Sequence, residues 1–135
     1  LVTRQKRMSC PYCNSEASIK DSSIIYGRSY GNVLICHNYP ECDAFVGVDK
    51  RDGKTPLGTM ANKELREWRK NAHNDFDPLW KSGRMNRGQA YSLMQRLMGL
   101  SKDDAHIGKF NIEQCKKLIE NIICYESRIN KNKKL

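Results

Sequence analysis

The sequence predicts an α+β protein, with a small antiparallel sheet stapled by a metal ion at the N-terminal end and a helical second half. Three observations point to this class. Four cysteines stand in two close pairs, short β-prone runs lie around these pairs, and apolar residues recur at helical spacing in later segments. The chain has 135 residues, about one domain, and its 39% apolar content allows only a thin core. A cross-link such as a bound metal ion would therefore add needed stability.

The first four cysteines have the spacing of a structural zinc site. Cys10 and Cys13 have two residues between them, and Cys36 and Cys42 have five. A Cys-x-x-Cys turn places two thiolates on one side of the backbone, and a second pair completes a tetrahedron around Zn²⁺. Four thiolates leave no open position for a reacting water, so we expect one structural Zn²⁺ in a zinc ribbon.

Three other uses of these cysteines remain open. A redox Cys-x-x-Cys needs a thioredoxin-like βαβ context, which the sequence lacks. An iron–sulfur cluster also takes four thiolates, and His37 could replace its neighbour Cys36 as a zinc ligand. The first residues lack the apolar run of a secretory signal, so we do not expect disulfides. Cys115 and Cys124 fall in a helical pattern and are expected to pack.

The ribbon is predicted over residues 8–48, with three short strands. The β-prone run 22–26 comes first, the run 33–36 leads into the second cysteine pair, and the run 44–48 follows that pair. The polar segment 49–58 is rich in turn-forming residues and is expected to be a loop.

Residues 59–128 are predicted to form a helical region packed on the ribbon. Thr59 is expected to cap a helix over residues 60–73, because hydroxyl side chains satisfy free amides at helix starts. A second helix is expected over residues 86–98, where Gly99 ends it.

A final helix is predicted from the pair Asn111 and Gln114, which has the spacing of a capping box. It is expected to run to about Arg128, followed by a basic tail over residues 129–135. Its apolar face is predicted to consist of Ile112, Cys115, Leu118, Ile119, Ile122 and Ile123.

The net charge of +9 favours a polyanionic partner, nucleic acid first. Residues 1–60 carry 8 basic and 6 acidic side chains, whereas residues 61–135 carry 16 and 9. The excess therefore comes mainly from the helical half. The chain has no apolar run of 18 residues, so we expect no membrane span, no membrane partner and a cytoplasmic location in a bacterial host.

Aromatic side chains next to cations suit a single nucleic-acid strand, because bases stack on rings while cations follow phosphates. Tyr26 is expected either to stack in this way or to fill the ribbon core. Single-stranded DNA is the favoured ligand. The predicted contacts in the ribbon are Arg28, Tyr30 and Tyr39, and those in the helical half are Arg66, Arg69, Lys70, Arg84 and Arg87.

The two cysteine pairs also carry a resemblance. Cys10-Pro11-Tyr12-Cys13, followed by Cys36 and Cys42 with Tyr39-Pro40 between them, is similar to the C-terminal zinc ribbons of type IA DNA topoisomerases. Those ribbons bind single-stranded DNA, and the resemblance implies zinc and the same class of ligand here.

The whole chain, over roughly residues 8–123, resembles a family of bacterial and bacteriophage proteins described as zinc-finger-containing. The family often carries a histidine where this chain has Asp49. The resemblance implies zinc and a phage-type origin but supplies no reaction. Its matching segments include Tyr26-Gly27, residues 43–47 and 56–59, Ala72-His73, residues 76–80, Arg87, Ala90-Tyr91, His106-Ile107-Gly108, Phe110 and Cys115.

We therefore expect a non-enzymatic, zinc-stabilised nucleic-acid-binding protein. One alternative is a protein-interaction module that binds or inhibits a host enzyme or a defence complex. A second is a metal-dependent nuclease, because His73 lies near Asp75 and Asp77 in the sequence and His106 follows another acidic pair. The sequence shows no phosphate-binding loop and no Gly-x-Ser-x-Gly or His-Glu-x-x-His motif.

Overall fold

The computed structural model describes residues 8–133, and only the backbone for residues 130–133. The chain divides into two compact units, Leu1–Glu64 and Leu65–Leu135. The strands lie in the first unit, and nearly all of the helical residues lie in the second. The predicted α+β class is confirmed. The prediction that the helical region packs on the ribbon stays a prediction.

The first unit is built on a four-stranded antiparallel sheet. Its strands are β1 (Met8–Ser9), β2 (Glu16–Asp21), β3 (Asn32–Cys36) and β4 (Phe45–Gly47), which neighbour one another in sequence order. β3 is an inner strand that pairs with β2 on one side and with β4 on the other, and all but its first residue are buried.

The two faces of the sheet carry separate apolar clusters. Side chains alternate along a strand, so Leu34 and Cys36 point to one face while Val33 and Ile35 point to the other. Leu34 and Cys36 belong to the larger cluster, which also contains Cys10. Val33 and Ile35 form the smaller cluster with Phe45. The cysteine pairs are thus anchored in the larger of the two small cores.

The predicted strand over residues 22–26 is wrong, because the chain forms a helical turn, α1 (Ser23–Tyr26), at this point. The carboxylate of Asp21 accepts a hydrogen bond from the Ser23 N–H at 2.8 Å. Gly27, at a φ of 75°, closes the turn by donating its N–H to the carbonyl of Ser23. These local hydrogen bonds outweigh the β propensity of the two isoleucines in the run.

The first long helix, α2 (Lys63–Phe76), begins three residues later than predicted, and Thr59 lies outside it. The reason is a backbone pairing with a residue of an earlier strand. Ala61 and Phe45 exchange two backbone hydrogen bonds, of 3.0 and 3.1 Å. This extended pairing with β4 uses the residues that the sequence pattern assigns to the first helical turn.

The second unit continues with α3 (Pro78–Lys81) and α4 (Arg87–Met98). The predicted helix over residues 86–98 agrees with α4. Asn86 and Gln89 form a complete capping box at its start, and Gly99 ends it at a φ of 65°. The cap satisfies free amides at the helix start, and only glycine adopts this left-handed conformation at little cost.

A short 3₁₀ turn (Ile107–Lys109) leads to α5 (Ile112–Lys133). The predicted capping box is present, since Asn111 and Gln114 exchange side-chain-to-backbone hydrogen bonds of 2.8 and 3.0 Å. The helix continues past the predicted end at Arg128, so most of the predicted basic tail has helical backbone. Residues 134–135 of that tail lie outside the described residues. No helix of the described chain is long and apolar enough to span a membrane.

The interior of the second unit draws on every helix. Ile123, predicted on the apolar face of α5, is instead 58% exposed, because the buried positions follow one another at spacings of three and four residues that skip it. The most deeply buried side chains of the second unit include Phe76, Leu79, Met94, Phe110, Cys115, Leu118 and Ile122.

Candidate metal centre and nucleic-acid contacts

The first cysteine pair lies in the turn between β1 and β2. Cys10 donates its N–H to the carbonyl of Ser15 at 2.8 Å, and Asn14 donates to the carbonyl of Cys10 at 2.9 Å. Asn14 adopts a φ of 63°, a conformation that asparagine tolerates better than most residues. The N–H of Tyr12 points to the Cys10 sulfur at 3.4 Å. A Cys-x-x-Cys sequence thus closes on itself, with its first sulfur accepting from the backbone.

The second pair follows the same plan with a longer loop. Cys36 ends β3, and its sulfur accepts from the N–H of Asn38 at 3.4 Å. The loop turns back through the bond from Cys42 N–H to Asn38 carbonyl at 3.0 Å. The peptide bond between Tyr39 and Pro40 within it is cis. The five intervening residues therefore still return Cys42 to the sulfur of Cys36.

The four sulfur atoms come together as a tetrahedral zinc site requires. The sulfurs of Cys10 and Cys42 are 3.6 Å apart, those of Cys13 and Cys36 are 3.4 Å apart, and all four lie within 4.8 Å of one another. A Zn–S bond of about 2.3 Å implies sulfur–sulfur distances of about 3.8 Å in a tetrahedron. The four cysteines can hold one zinc ion, which confirms the predicted cofactor.

The protein environment makes these thiols unequal. Hydrogen bonds from the Ser15 hydroxyl and backbone lower the pKa of the exposed Cys13 to about 6. Burial raises the pKa of Cys36 to about 12, because a thiolate is costly away from water. A bound cation offsets that cost, and its field holds all four sulfurs as thiolates. The donor set therefore fits a closed structural zinc site.

His37 does not belong to this group of ligands. Its Nε2 lies 2.9 Å from the hydroxyl of Ser18, and its Nδ1 lies 4.0 Å from the carboxylate of Glu16. The ring is therefore directed toward β2, and Cys36 rather than its neighbour joins the sulfur cluster.

The predicted ribbon contacts occupy different environments. Tyr30 is 56% exposed, with the Arg28 guanidinium carbon 5.2 Å from its ring centre. Tyr26, which is 54% exposed, meets the same ring edge-on at 5.6 Å. Tyr39 lies elsewhere, half-buried against Phe45 at a ring separation of 6.5 Å. The structure thus assembles three of these side chains into one exposed group, the Tyr26–Arg28–Tyr30 cluster.

The predicted contacts on α2 separate into two groups. Lys70 is exposed and Arg66 is half-buried. Arg69 is 9% exposed, and its Nε donates to the main-chain carbonyl of Phe110 at 3.0 Å. Its guanidinium therefore links α2 to the end of the 3₁₀ turn that precedes α5. A side chain so placed is not available to follow phosphates, so Arg69 leaves the set of candidate contacts.

Replacing Arg69 by alanine is expected to lower stability and to leave nucleic-acid affinity unchanged. The Phe110 carbonyl would lose its buried donor, a loss that costs about 1–3 kcal/mol. Thermal melting and binding at a temperature where the variant stays folded measure the two effects. Lys70→Ala, one position along and exposed, is the control and should change stability by no more than about 0.5 kcal/mol. A weakened affinity in folded Arg69→Ala would contradict this assignment.

The two remaining arginines differ in their neighbours. Arg84 lies 3.4 Å from the carboxylate of Glu126. The Arg87 guanidinium carbon lies 5.5 Å from the ring centre of Trp80 and 5.4 Å from that of Tyr91. Neither ring belongs to the contacts predicted from sequence. The four-residue spacing of Arg87 and Tyr91, which places both on one side of a helix, was a signal for Tyr91 but not for Trp80.

The candidate nuclease histidines belong to the second unit, whereas the cysteines of the sulfur cluster belong to the first. His73 Nδ1 lies 3.3 Å from a carboxylate oxygen of Asp77, one helical turn along. The His106 ring stands 5.9 Å from that of Tyr91. Among the described residues, neither histidine belongs to a second group of three or more side chains that could hold a metal. The nuclease hypothesis remains untested.

The four-stranded sheet and its two cysteine turns define a zinc-ribbon protein with a helical second unit. Residues 6–125 match a family described as a zinc-finger-containing domain, and the chain belongs to this family. Searches among curated proteins and among solved structures found no match. The predicted family is thereby confirmed, while the phage origin stays a prediction.

Proposed function

We propose that this protein binds nucleic acid, with a preference for single strands, and uses zinc only to hold its ribbon. The observation that carries the proposal is the Tyr26–Arg28–Tyr30 cluster, in which two exposed rings meet edge to face and a guanidinium lies over the Tyr30 ring. Bases of any sequence can stack on such rings, and the guanidinium suits the adjacent phosphate. The bases of a duplex are already stacked on one another, so they are not available to stack on these rings, and we expect a duplex to bind more weakly.

Local hydrogen bonds order the segment that displays the cluster. The hydroxyl of Ser22, which is buried, accepts from the Tyr30 N–H at 2.7 Å. The carboxylate of Asp21 accepts two hydrogen bonds, one from the Ser29 hydroxyl and one from the Ser23 N–H, each at 2.8 Å. An ordered binding surface loses less conformational entropy when a ligand binds. The fixed conformation of this segment therefore favours a role in binding a ligand over that of a flexible linker.

The overall charge supports the same class of ligand. A net charge of +9 draws polyanions to the protein and makes association depend on salt. A single strand about a dozen nucleotides long is therefore expected to bind at 50 mM salt and to weaken as salt rises. No detectable binding of single-stranded DNA or RNA at that salt concentration would overturn the proposal.

Tyr30→Ala is expected to weaken single-strand binding by about 5- to 150-fold, because stacking contributes about 1–3 kcal/mol per base. Fluorescence anisotropy with a labelled strand measures the change, and a duplex of the same sequence gives the reference. Leu57→Ala is the matched control, since Leu57 is also exposed and apolar but lies outside the cluster. Equal affinities for the two variants would show that the cluster does not bind the strand.

A further inference from the structure

We infer that the second unit has its own binding site for a phosphodiester group, centred on Arg87. This inference rests on the proposed function and deepens it, because it assigns a phosphate contact to the helical unit independently of the ribbon aromatics. Three features carry it: a guanidinium close to two ring centres, donor groups without a partner among the described residues, and a second cation beside one of the same rings.

The first feature is the way in which Arg87 is held. Its guanidinium carbon lies at nearly equal distances, 5.5 and 5.4 Å, from the ring centres of Trp80 and Tyr91. Tyr91 is itself fixed, because its ring meets the buried Phe76 edge-on at 5.1 Å. Aromatic faces interact favourably with a guanidinium and restrict its movement. Less entropy is then lost when the guanidinium binds an oxyanion.

The second feature is the availability of its N–H groups. Two other arginines of the chain face carboxylates: Arg84 lies 3.4 Å from Glu126, and Arg51 lies 2.7 Å from Asp49. Within the described residues, Arg87 has no hydrogen bond and no ion pair. A guanidinium is a planar fork with five N–H donors along its edge. Those donors match two phosphate oxygens at once.

The third feature is the pattern of groups around Arg87, which distinguishes a nucleic-acid strand from an acidic peptide. Lys81 Nζ lies 5.6 Å from the Trp80 ring centre, and the His106 ring lies 5.9 Å from Tyr91. Two cations, Lys81 and Arg87, thus lie against the rings of this surface, and Lys81 also meets the carboxylate of Asp77 at 3.9 Å. A strand alternates phosphates with flat bases, so it complements both kinds of group. Carboxylates of a peptide would match only the cations, and we therefore assign the site to a phosphodiester.

Arg87→Lys keeps the positive charge but removes the planar pair of donors. We expect it to weaken binding of a single strand by about tenfold, the effect of losing one charge-assisted hydrogen-bonding contact. The weakening should be the same for a strand of equal length without bases, because the contact is to phosphate. Arg128→Lys, an exposed arginine of α5, is the matched control and should change affinity by less than about twofold.

Arg87→Ala supplies a readout that packing alone would not change. Losing one phosphate contact lowers the slope of log K against log salt concentration by about 0.7 for a single strand. Tyr30→Ala should not alter binding of the base-free strand, whereas Arg87→Ala should. Binding of the strand with bases and of the base-free strand therefore distinguishes the ribbon site from the Arg87 site.

Several outcomes would overturn the inference. Arg87→Lys could match Arg128→Lys in affinity while its melting temperature falls, which would make the two-ring contact a packing feature only. An unchanged salt slope in Arg87→Ala, or binding of an acidic peptide in place of the base-free strand, would also reject it. In each case the proposed function survives if Tyr30→Ala still weakens single-strand binding. If the unaltered protein binds no strand, the proposed function fails as well.

Discussion

Removing zinc is expected to unfold the first unit and to leave the helices of the second in place. The first unit has two small apolar clusters, one of which includes the ligands Cys10 and Cys36, with Cys42 packed against it. Structural zinc contributes about 10–16 kcal/mol of apparent binding free energy in small domains. Whole domains are stable by only about 5–15 kcal/mol. The metal thus contributes as much as the entire net stability expected for a unit of this kind.

The distribution of tryptophan allows the two units to be followed separately. Both tryptophans, Trp68 and Trp80, belong to the second unit. Their fluorescence should therefore change little when a chelator removes zinc. Amide hydrogen exchange reports on the first unit, and the amides of β2 and β3 should lose their protection. Metal analysis before chelation should give one zinc per chain.

Substitution of a ligand should reproduce the effect of the chelator. Cys10→Ser and Cys42→Ser each remove one thiolate, and we expect both variants to lose zinc and the protection of the sheet. Cys124→Ser is the matched control, because Cys124 is exposed on α5 and lies outside the sulfur cluster. A first unit that stays protected without metal would show that zinc is not what stabilises it.

The zinc site was predictable because its information is local. Each cysteine pair closes a short turn, and a donor set of four thiolates specifies both the metal and a tetrahedral arrangement. The longer separation of Cys36 and Cys42 did not obscure this, since the loop returns through backbone hydrogen bonds. The helix starts at Asn86 and Asn111 were equally accessible, because capping boxes lie within four consecutive residues.

The errors arise where distant residues decide the outcome. Nothing near Ala61 in the sequence indicates that it pairs with Phe45, yet this pairing delays the start of α2. Arg69 carries a charge that suggests exposure, but its partner is the carbonyl of Phe110, which lies far along the chain. The helical turn α1 is a different case, because Asp21 and Gly27 were visible local signals that outweighed two β-branched residues.

Phe110→Ala is expected to give the largest loss of stability in the second unit. Phe110 ends the 3₁₀ turn before α5, its side chain is completely buried, and its carbonyl accepts from Arg69. Truncating a buried phenylalanine costs about 3–5 kcal/mol, because contacts are lost and a cavity remains. For a unit of this size, that corresponds to a fall in melting temperature of at least about 12 °C.

Tryptophan fluorescence should detect this transition directly, since both tryptophans lie in the unit that is weakened. Ile123→Ala is the matched control, because it also removes apolar atoms but from an exposed position on α5, and it should melt within about 4 °C of the unaltered protein. Zinc content should stay at one per chain in both variants, as the sulfur ligands lie in the first unit. Similar melting temperatures for the two variants would mean that the second unit does not depend on its buried interior as its structure requires.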